Sequence, residues 1–490
     1  MARRDLRILI VGAGFAGLGA AVRFKRAGFH QLTIVDRGDE VGGTWRDNTY
    51  PGCACDVPSH LYSFSFDPHF DWARPYAGQP QIRAYLNHIA DAHGLRPHLR
   101  LSVDVERSVW DGSRQVWQVH LAGGEVLETD VLVSGIGALV KPSLPKLPGL
   151  ADFTGSVLHT ARWRDDVSLV GKRVALIGTG ASAVQIGPEI APVVSHMSVF
   201  QRTPPWVMPR GDAPYGPVRR WLYRNVPGLL RVNRWRIWMF NEMVTSGFLG
   251  HRGMGRLMRR TALRHMHGQL SQPDLIARVT PDYETGCKRV LLSDTWYPTL
   301  QRPNVSLVTA GIERVVPEGI VTNDGRLHAV DAIVFGTGFA ITASLRHVRG
   351  RDGRDLARQW RRAAQTWLGI STPGFPNFFT LLGPGTGLGS NSIVFMLEAQ
   401  MNHIVKAVRY LAGRPGAMEV QEAAAAASHA EVQRRLTGTV WASGGCRSWY
   451  QAPDGRIETL WPDFTLNYWR RTRQFDPAIY QIHPAPGMCP

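Results

Sequence analysis

In the stretch Gly42 to Asp56, GGTWRDNTYPGCACD, paired glycines, a tryptophan, a Tyr-Pro-Gly turn, two cysteines and a closing aspartate share fifteen residues. Two thiols so placed raise the question of a dithiol relay. Cys53 and Cys55 are separated by a single residue, however, too close for the CxxxxC pair that exchanges electrons beside a flavin, and a carboxylate follows at once. The stretch needs another explanation. Upstream, Gly12, Gly14 and Gly17 make GxGxxG at the end of an apolar run. That spacing lets the backbone approach a pyrophosphate seated on the start of a helix. A second apolar run, QLTIVDR, ends at Asp36, about 20 residues further on, where a carboxylate can accept hydrogen bonds from ribose hydroxyls.

These groups need strands and helices to hold them, and the chain supplies the same arrangement twice. RILIVGAGFAGLGA (Arg7 to Ala20) reappears in character as RVALIGTGASAVQI (Arg173 to Ile186), which predicts two dinucleotide-binding βαβ folds. In the second copy Gly178, Gly180 and Ala183 make GxGxxA, and its second strand, MSVFQRT, ends in Arg202 and Thr203 instead of an acid. A guanidinium can pair bidentately with a 2′-phosphate that an aspartate would repel, so this site is expected to take NADPH in preference to NADH. Two dinucleotide sites on one chain suggest a flavoprotein fed by a nicotinamide, with FAD in the first fold.

The fold class expected is α/β: two Rossmann-like dinucleotide-binding domains, for FAD and NADP, with a helical insert. The proline-rich KPSLPKLPGL marks an exit from the first fold, and DVLVSGIGAL and DAIVFGTGFA are strands of one design closing each fold. The predicted organisation is residues 1–143 for FAD, 144–209 for NADP, 210–279 as the insert, 280–340 back to NADP, and 341–490 as a return to the FAD domain with a C-terminal region contacting substrate and NADP.

The net charge of +17 favours anionic partners without choosing among them. From Arg210 to Arg264 twelve arginines meet only Asp212 and Glu242, so this segment carries +10 of the total, interleaved with tryptophans. A solvated helical cap is the first reading; weak peripheral contact with an anionic membrane stays open. No nucleic-acid motif accompanies the aromatics, so nucleic acid is not expected as a partner. No stretch has the ~18 apolar residues of a membrane-spanning helix, and MARRDLRILIVGAG reads as a first strand, not a signal peptide. Five cysteines (Cys53, Cys55, Cys287, Cys446, Cys489) show no zinc-ligand spacing, so no metal is expected; their odd number predicts free thiols, no disulfide framework and a reducing, cytoplasmic setting.

The sequence resembles the type I (class B) flavin-dependent Baeyer–Villiger monooxygenases. Gly42-Gly43-x-Trp45, Tyr50-Pro51-Gly52 and Asp56 match that family's long fingerprint. Phe153, Gly155, His159 and Trp163 in FTGSVLHTARWR match its second, with Arg164 departing at the position where the pattern has Pro or Asp. The resemblance implies an NADPH- and O2-dependent oxygenation of a ketone to an ester or lactone by way of a flavin C4a-peroxide. Oxygenation of nitrogen or sulfur is the alternative, and a non-catalytic basic flavoprotein a remoter one.

By the same resemblance Thr44, Trp45, Asp56 and Tyr62 line the FAD, while Thr179, Gly180, Ser182, Gln185, Arg202 and Thr203 hold NADPH. Within GCKRVLLSDTWYPTLQRPNV it implies that Arg289 is the catalytic cation, paired with Asp56, and that Lys288 reaches the NADP phosphate. Arginine suits that work because it stays charged in a dry pocket where lysine can lose its proton. Trp449 is implied to pack on the nicotinamide cofactor, against a core tryptophan as the rival, and His159 to serve as a conformational element at the interdomain hinge. Relatives often carry asparagines in the glycine loop near Gly383, where this chain reads GPGTGLGSNS, which leaves the loop's flavin contact unassigned.

Overall fold

The computed structural model describes residues 5–340, 347–452 and 454–484. Cys489 and the first residues of the segment that begins at 341 lie outside them. The repeated motif builds two parallel five-stranded sheets. In the first the order is Phe378–Thr380, Val131–Ser134, Ile8–Val11, Leu32–Val35, Leu99–Arg100; in the second it is Val305–Val308, His196–Phe200, Arg173–Ile177, Ala332–Phe335, Ser156–His159. The strand before each glycine motif is the central one. Such strands are buried on both faces, which is why ILIV and VALI are uninterrupted apolar runs. Helix Phe15–Arg26 packs on the first sheet and helix Ile393–Ala412 packs on that helix, while the strand Phe378–Thr380 joins the sheet's edge from the far end of the chain.

The chain passes between the two sheets twice, after Ser134 and after Phe335, and the two passages are hydrogen-bonded to each other. Ser143 donates its N–H to Gly338, Ala340 donates to Lys141, and Pro142 bridges Phe339. Thr337 donates its hydroxyl to the Ser143 carbonyl at 2.6 Å. His159, buried at the end of its strand, lies 3.5 Å from that hydroxyl and accepts the Ala161 N–H on Nδ1; burial, then Arg162, holds its pKa below the usual value. His159 thus sits where both connections meet.

The basic segment forms helices Pro217–Asn225, Leu229–Phe248, Arg252–Gln269 and Pro273–Val279. It is pinned at several points. Arg234 donates to the carbonyls of His60 and Ser63 and to the Ser63 hydroxyl. Buried Glu242 accepts from Thr465 at 2.8 Å and Asn391 at 2.7 Å, and Trp238 stacks on Phe395. Arg220 pairs with Asp71 at 2.6 Å. No helix among the described residues is long and apolar enough to cross a membrane.

The cysteine expectation is corrected. Cys287 and Cys446 form a disulfide across 159 residues of chain, with Cα atoms 6.1 Å apart. Spacing along a sequence carries no information on which distant thiols meet, so nothing in the composition could have announced it. Because the bond restricts the unfolded chain, the Cys287→Ser/Cys446→Ser variant is expected to lose about 2–4 kcal/mol. That loss would appear as a lower thermal midpoint, and added reductant would lower the parent protein's midpoint but leave the variant's unchanged.

Candidate functional site

Each dinucleotide motif is shaped by its glycines. Gly12 has φ of +106°, and a Cβ on Gly17 would stand 1.7 Å from the Gly12 carbonyl oxygen, so the turn and helix close on each other only without a side chain there. Helix Phe15–Arg26 starts at Gly14 and helix Ala181–Ile190 at Gly180; neither start has a side-chain cap or an acidic residue in its first turn. Free N–H groups and a positive dipole end are what a pyrophosphate requires. Asp36 is buried, and three donors already hold it: Ala13 N–H at 2.7 Å, Gly38 N–H at 2.8 Å and Arg46 at 2.7 Å. It therefore braces the glycine turn from below.

The opening fingerprint lies between the two motifs. Gly42 donates to the Ala13 carbonyl in the first glycine turn, and Thr44–Asp47 forms a short helix. Trp45 is buried and donates its indole N–H to the Tyr62 hydroxyl at 3.2 Å. The Tyr-Pro-Gly turn then docks on the other fold: Tyr50 donates its hydroxyl to Gln185 at 2.7 Å, and Gln185 donates back to the Ala54 carbonyl at 2.9 Å. Gly52 has φ of +78° and its missing Cβ would lie 2.8 Å from the Gln185 carbonyl oxygen, so only glycine permits this approach. Gln185, expected at NADPH, has its amide engaged in joining the two folds.

Asp56 closes the segment against Arg289. Nε of Arg289 donates at 2.7 Å and its terminal nitrogen lies at 2.6 Å, both on one carboxylate oxygen of Asp56, with a third of the guanidinium side chain exposed. The Asp56 charge raises the Arg289 pKa still higher and outweighs the opposing effect of burial, so this cation stays charged at every working pH. Cys53 and Cys55 beside it are free, and burial raises both thiols, Cys53 to about 11, the reverse of what a nucleophilic pair needs.

Tyr450 is a member of this group that the sequence reading did not name. Its ring is buried, and burial raises its phenol more than the Arg289 charge lowers it. The hydroxyl feels that charge without an aligned hydrogen-bond partner. Trp449, half exposed, lies against Tyr450 with ring centroids 4.3 Å apart, so it is not a core tryptophan. Only its neighbour Trp449 was visible as a motif; Tyr450 meets Arg289 from a point 161 positions along the chain. The Cys287–Cys446 bond ties these two segments together within a few residues of both.

At the second motif Thr179 donates its hydroxyl to the Thr203 carbonyl at 3.1 Å, ordering the end of the strand that carries Arg202. Ser182 is half-buried in the first turn of the helix, and Arg202 is exposed. Lys288 lies with its ammonium 4.9 Å over the Tyr283 ring, and its pKa is lowered first by burial and then by Arg202. Lys288 and Arg202 therefore lie within each other's field. Arg164, the departure from the second fingerprint, forms an exposed pair with Asp166 at 2.7 Å. The loop around Gly383 is tied down at Gly385 and Gly387, which donate to the carbonyls of Glu458 and Thr459. Among the described residues no cluster could hold a metal ion.

Residues 10–77 match the family model of an NAD(P)-binding Rossmann-like domain. The chain is 46% identical over 487 residues to a Baeyer-Villiger monooxygenase of Streptomyces coelicolor, covering 98% of this chain and 94% of the relative. It is 42% identical to a Baeyer-Villiger monooxygenase of Pseudomonas aeruginosa, over 99% of this chain and 93% of that one. Among solved structures, an oxidized steroid monooxygenase bound to NADP superposes with a TM-score of 0.86 at 30% identity, covering 97% of this chain and 99% of the other. A cyclohexanone monooxygenase from Rhodococcus sp. Phi1 bound to NADP+ gives 0.87 at 26% identity, covering 99% and 100%.

Proposed function

The chain belongs to the Baeyer–Villiger monooxygenases, and from that premise we propose that it is a type I enzyme converting a ketone, O2, NADPH and a proton into an ester or lactone, NADP+ and water. The observation that carries this reading is the Arg289–Asp56 pair standing between two dinucleotide motifs. FAD would be held at the first motif, where glycines clear the backbone and the uncapped start of helix Phe15–Arg26 offers free N–H groups to a pyrophosphate. Thr44, Trp45, Asp56 and Tyr62 would line it. NADPH fits the second: Gly180 opens the helix, Thr179, Ser182 and Thr203 border it, and Arg202 with Lys288 would take the 2′-phosphate. Gln185 serves this site by fixing the helix to the fingerprint turn.

When bound, reduced FAD supplies the electron pair that activates O2. The chain's own work is electrostatic and positional. Asp56 occupies Nε and one terminal nitrogen of Arg289 through a single oxygen, so the guanidinium is oriented while a third of the side chain stays accessible. A fixed cation in a partly dry pocket stabilises developing oxyanion charge without reorganising at the moment of reaction. Trp449 would pack on the nicotinamide cofactor, and Tyr450 beneath it backs Arg289. The test is NADPH consumption over a panel of cyclic, aryl, long-chain and steroid-like ketones and of sulfides, with products identified by mass. Ester or lactone from at least one ketone is expected; oxygenation of sulfides alone would overturn the reading.

A further inference from the structure

Helix Leu229–Phe248 is apolar on two faces, and the structure uses only one of them. Leu230, Asn233, Glu242 and Thr245 are buried against the body of the protein. The opposite side carries Val232, Trp235, Met239, Phe240 and Met243, at spacings of three, four, one and three residues, the repeat of a single helical stripe. Their exposures are 61%, 59%, 37%, 59% and 51%. On the preceding helix, which packs against this one, Trp221 is 60% exposed. Scattered surface apolar residues need no explanation, but a continuous row with two large aromatics about 16 Å long does.

The charge beside the stripe is of one sign. Arg231 and Arg236 are exposed along it, and Arg236 donates to neutral Asn233. Both acids between Arg210 and Arg264 are spent elsewhere: Glu242 is buried under Thr465 and Asn391, and Asp212 is bound to Arg210 and Arg74. On the preceding helix Arg220 and Arg224 share Asp71, so the uncompensated charge lies along helix Leu229–Phe248, whose outer face offers tryptophan, phenylalanine and methionine beside Arg231 and Arg236. A second copy of the same face would set arginine against arginine. A surface that is apolar beneath and anionic above meets both requirements at once.

We propose that the outer face of helix Leu229–Phe248 docks the enzyme peripherally on anionic lipid membranes, the apolar stripe entering the acyl boundary while Arg231 and Arg236 meet lipid phosphates. Because this side chain row lies opposite the buried face, the proposal does not depend on the catalytic assignment. The experiment is co-sedimentation of the FAD- and NADP-loaded full chain with vesicles of phosphatidylcholine alone and of phosphatidylcholine with phosphatidylglycerol, at low and high salt. Binding to the anionic vesicles alone, weakened by salt, is expected. Arg231→Gln/Arg236→Gln and, separately, Trp235→Ser/Phe240→Ser should each lower the partition coefficient by about tenfold or more with NADPH oxidation unchanged. If the apolar double variant does not fold, Trp235→Gln alone replaces it. Absence of vesicle binding, equal binding to neutral vesicles, or association only with RNA or with a second copy of the chain would overturn the proposal.

Discussion

Arg289→Ala is expected to go on oxidising NADPH while forming ester about 10²–10³-fold more slowly, the loss that follows when one preorganised donor to a developing oxyanion is removed. Reducing equivalents would then be lost to hydrogen peroxide. The two effects separate because Arg289 is engaged by Asp56, whereas the NADPH phosphate is assigned to Arg202 and Lys288. Arg289→Lys should recover little. The two contacts to one Asp56 oxygen come from Nε and a terminal nitrogen, a fork that an ammonium cannot reproduce. Product analysis together with a peroxide assay decides the matter; ester formation at the parent rate in Arg289→Ala would remove this residue from the reaction.

The second large effect is on the choice of nicotinamide. Arg202→Gln should raise the KM for NADPH by about 10–100-fold, the loss of a charge-assisted hydrogen-bonded pair worth about 1.5–3 kcal/mol. NADH, which lacks the 2′-phosphate, should be used as before. Lys288 remains as a second cation within the field of Arg202, so Arg202→Gln/Lys288→Met should go further in the same direction. The readout is the ratio of kcat/KM for the two nicotinamides. A ratio unchanged in both variants would place the phosphate elsewhere.

The glycine turns, the repeated strands and the terminal arginine of the second motif were legible because each depends on neighbours within a few tens of residues. Gly12 must take a positive φ, and Gly17 must lack a Cβ, whatever the rest of the chain does. The joining of the two folds was not legible. Tyr50 meets Gln185 across 135 positions and Asp56 meets Arg289 across 233, contacts that only the folded topology decides. The resemblance of the fingerprints supplied the second of these; nothing supplied the first, the bond that occupies the Gln185 amide. The cysteines misled for the same reason, since an odd count describes composition and not proximity. Tyr450 was hidden beside a more conspicuous tryptophan. In the basic insert the charge was visible, but which apolar face would be buried depended on where Arg234 and Glu242 found partners.

The central claim is that Asp56 and Arg289 act as one unit, and a double-mutant cycle measures that directly through ester formed per NADPH oxidised. Asp56→Asn alone should lower this yield by about 10–100-fold, because the guanidinium loses the partner that orients it. With Arg289 already replaced by Ala, the same change at 56 should cost almost nothing further, since the charge it positioned is gone. Losses that multiply, each substitution costing as much in the presence of the other as alone, would contradict the account.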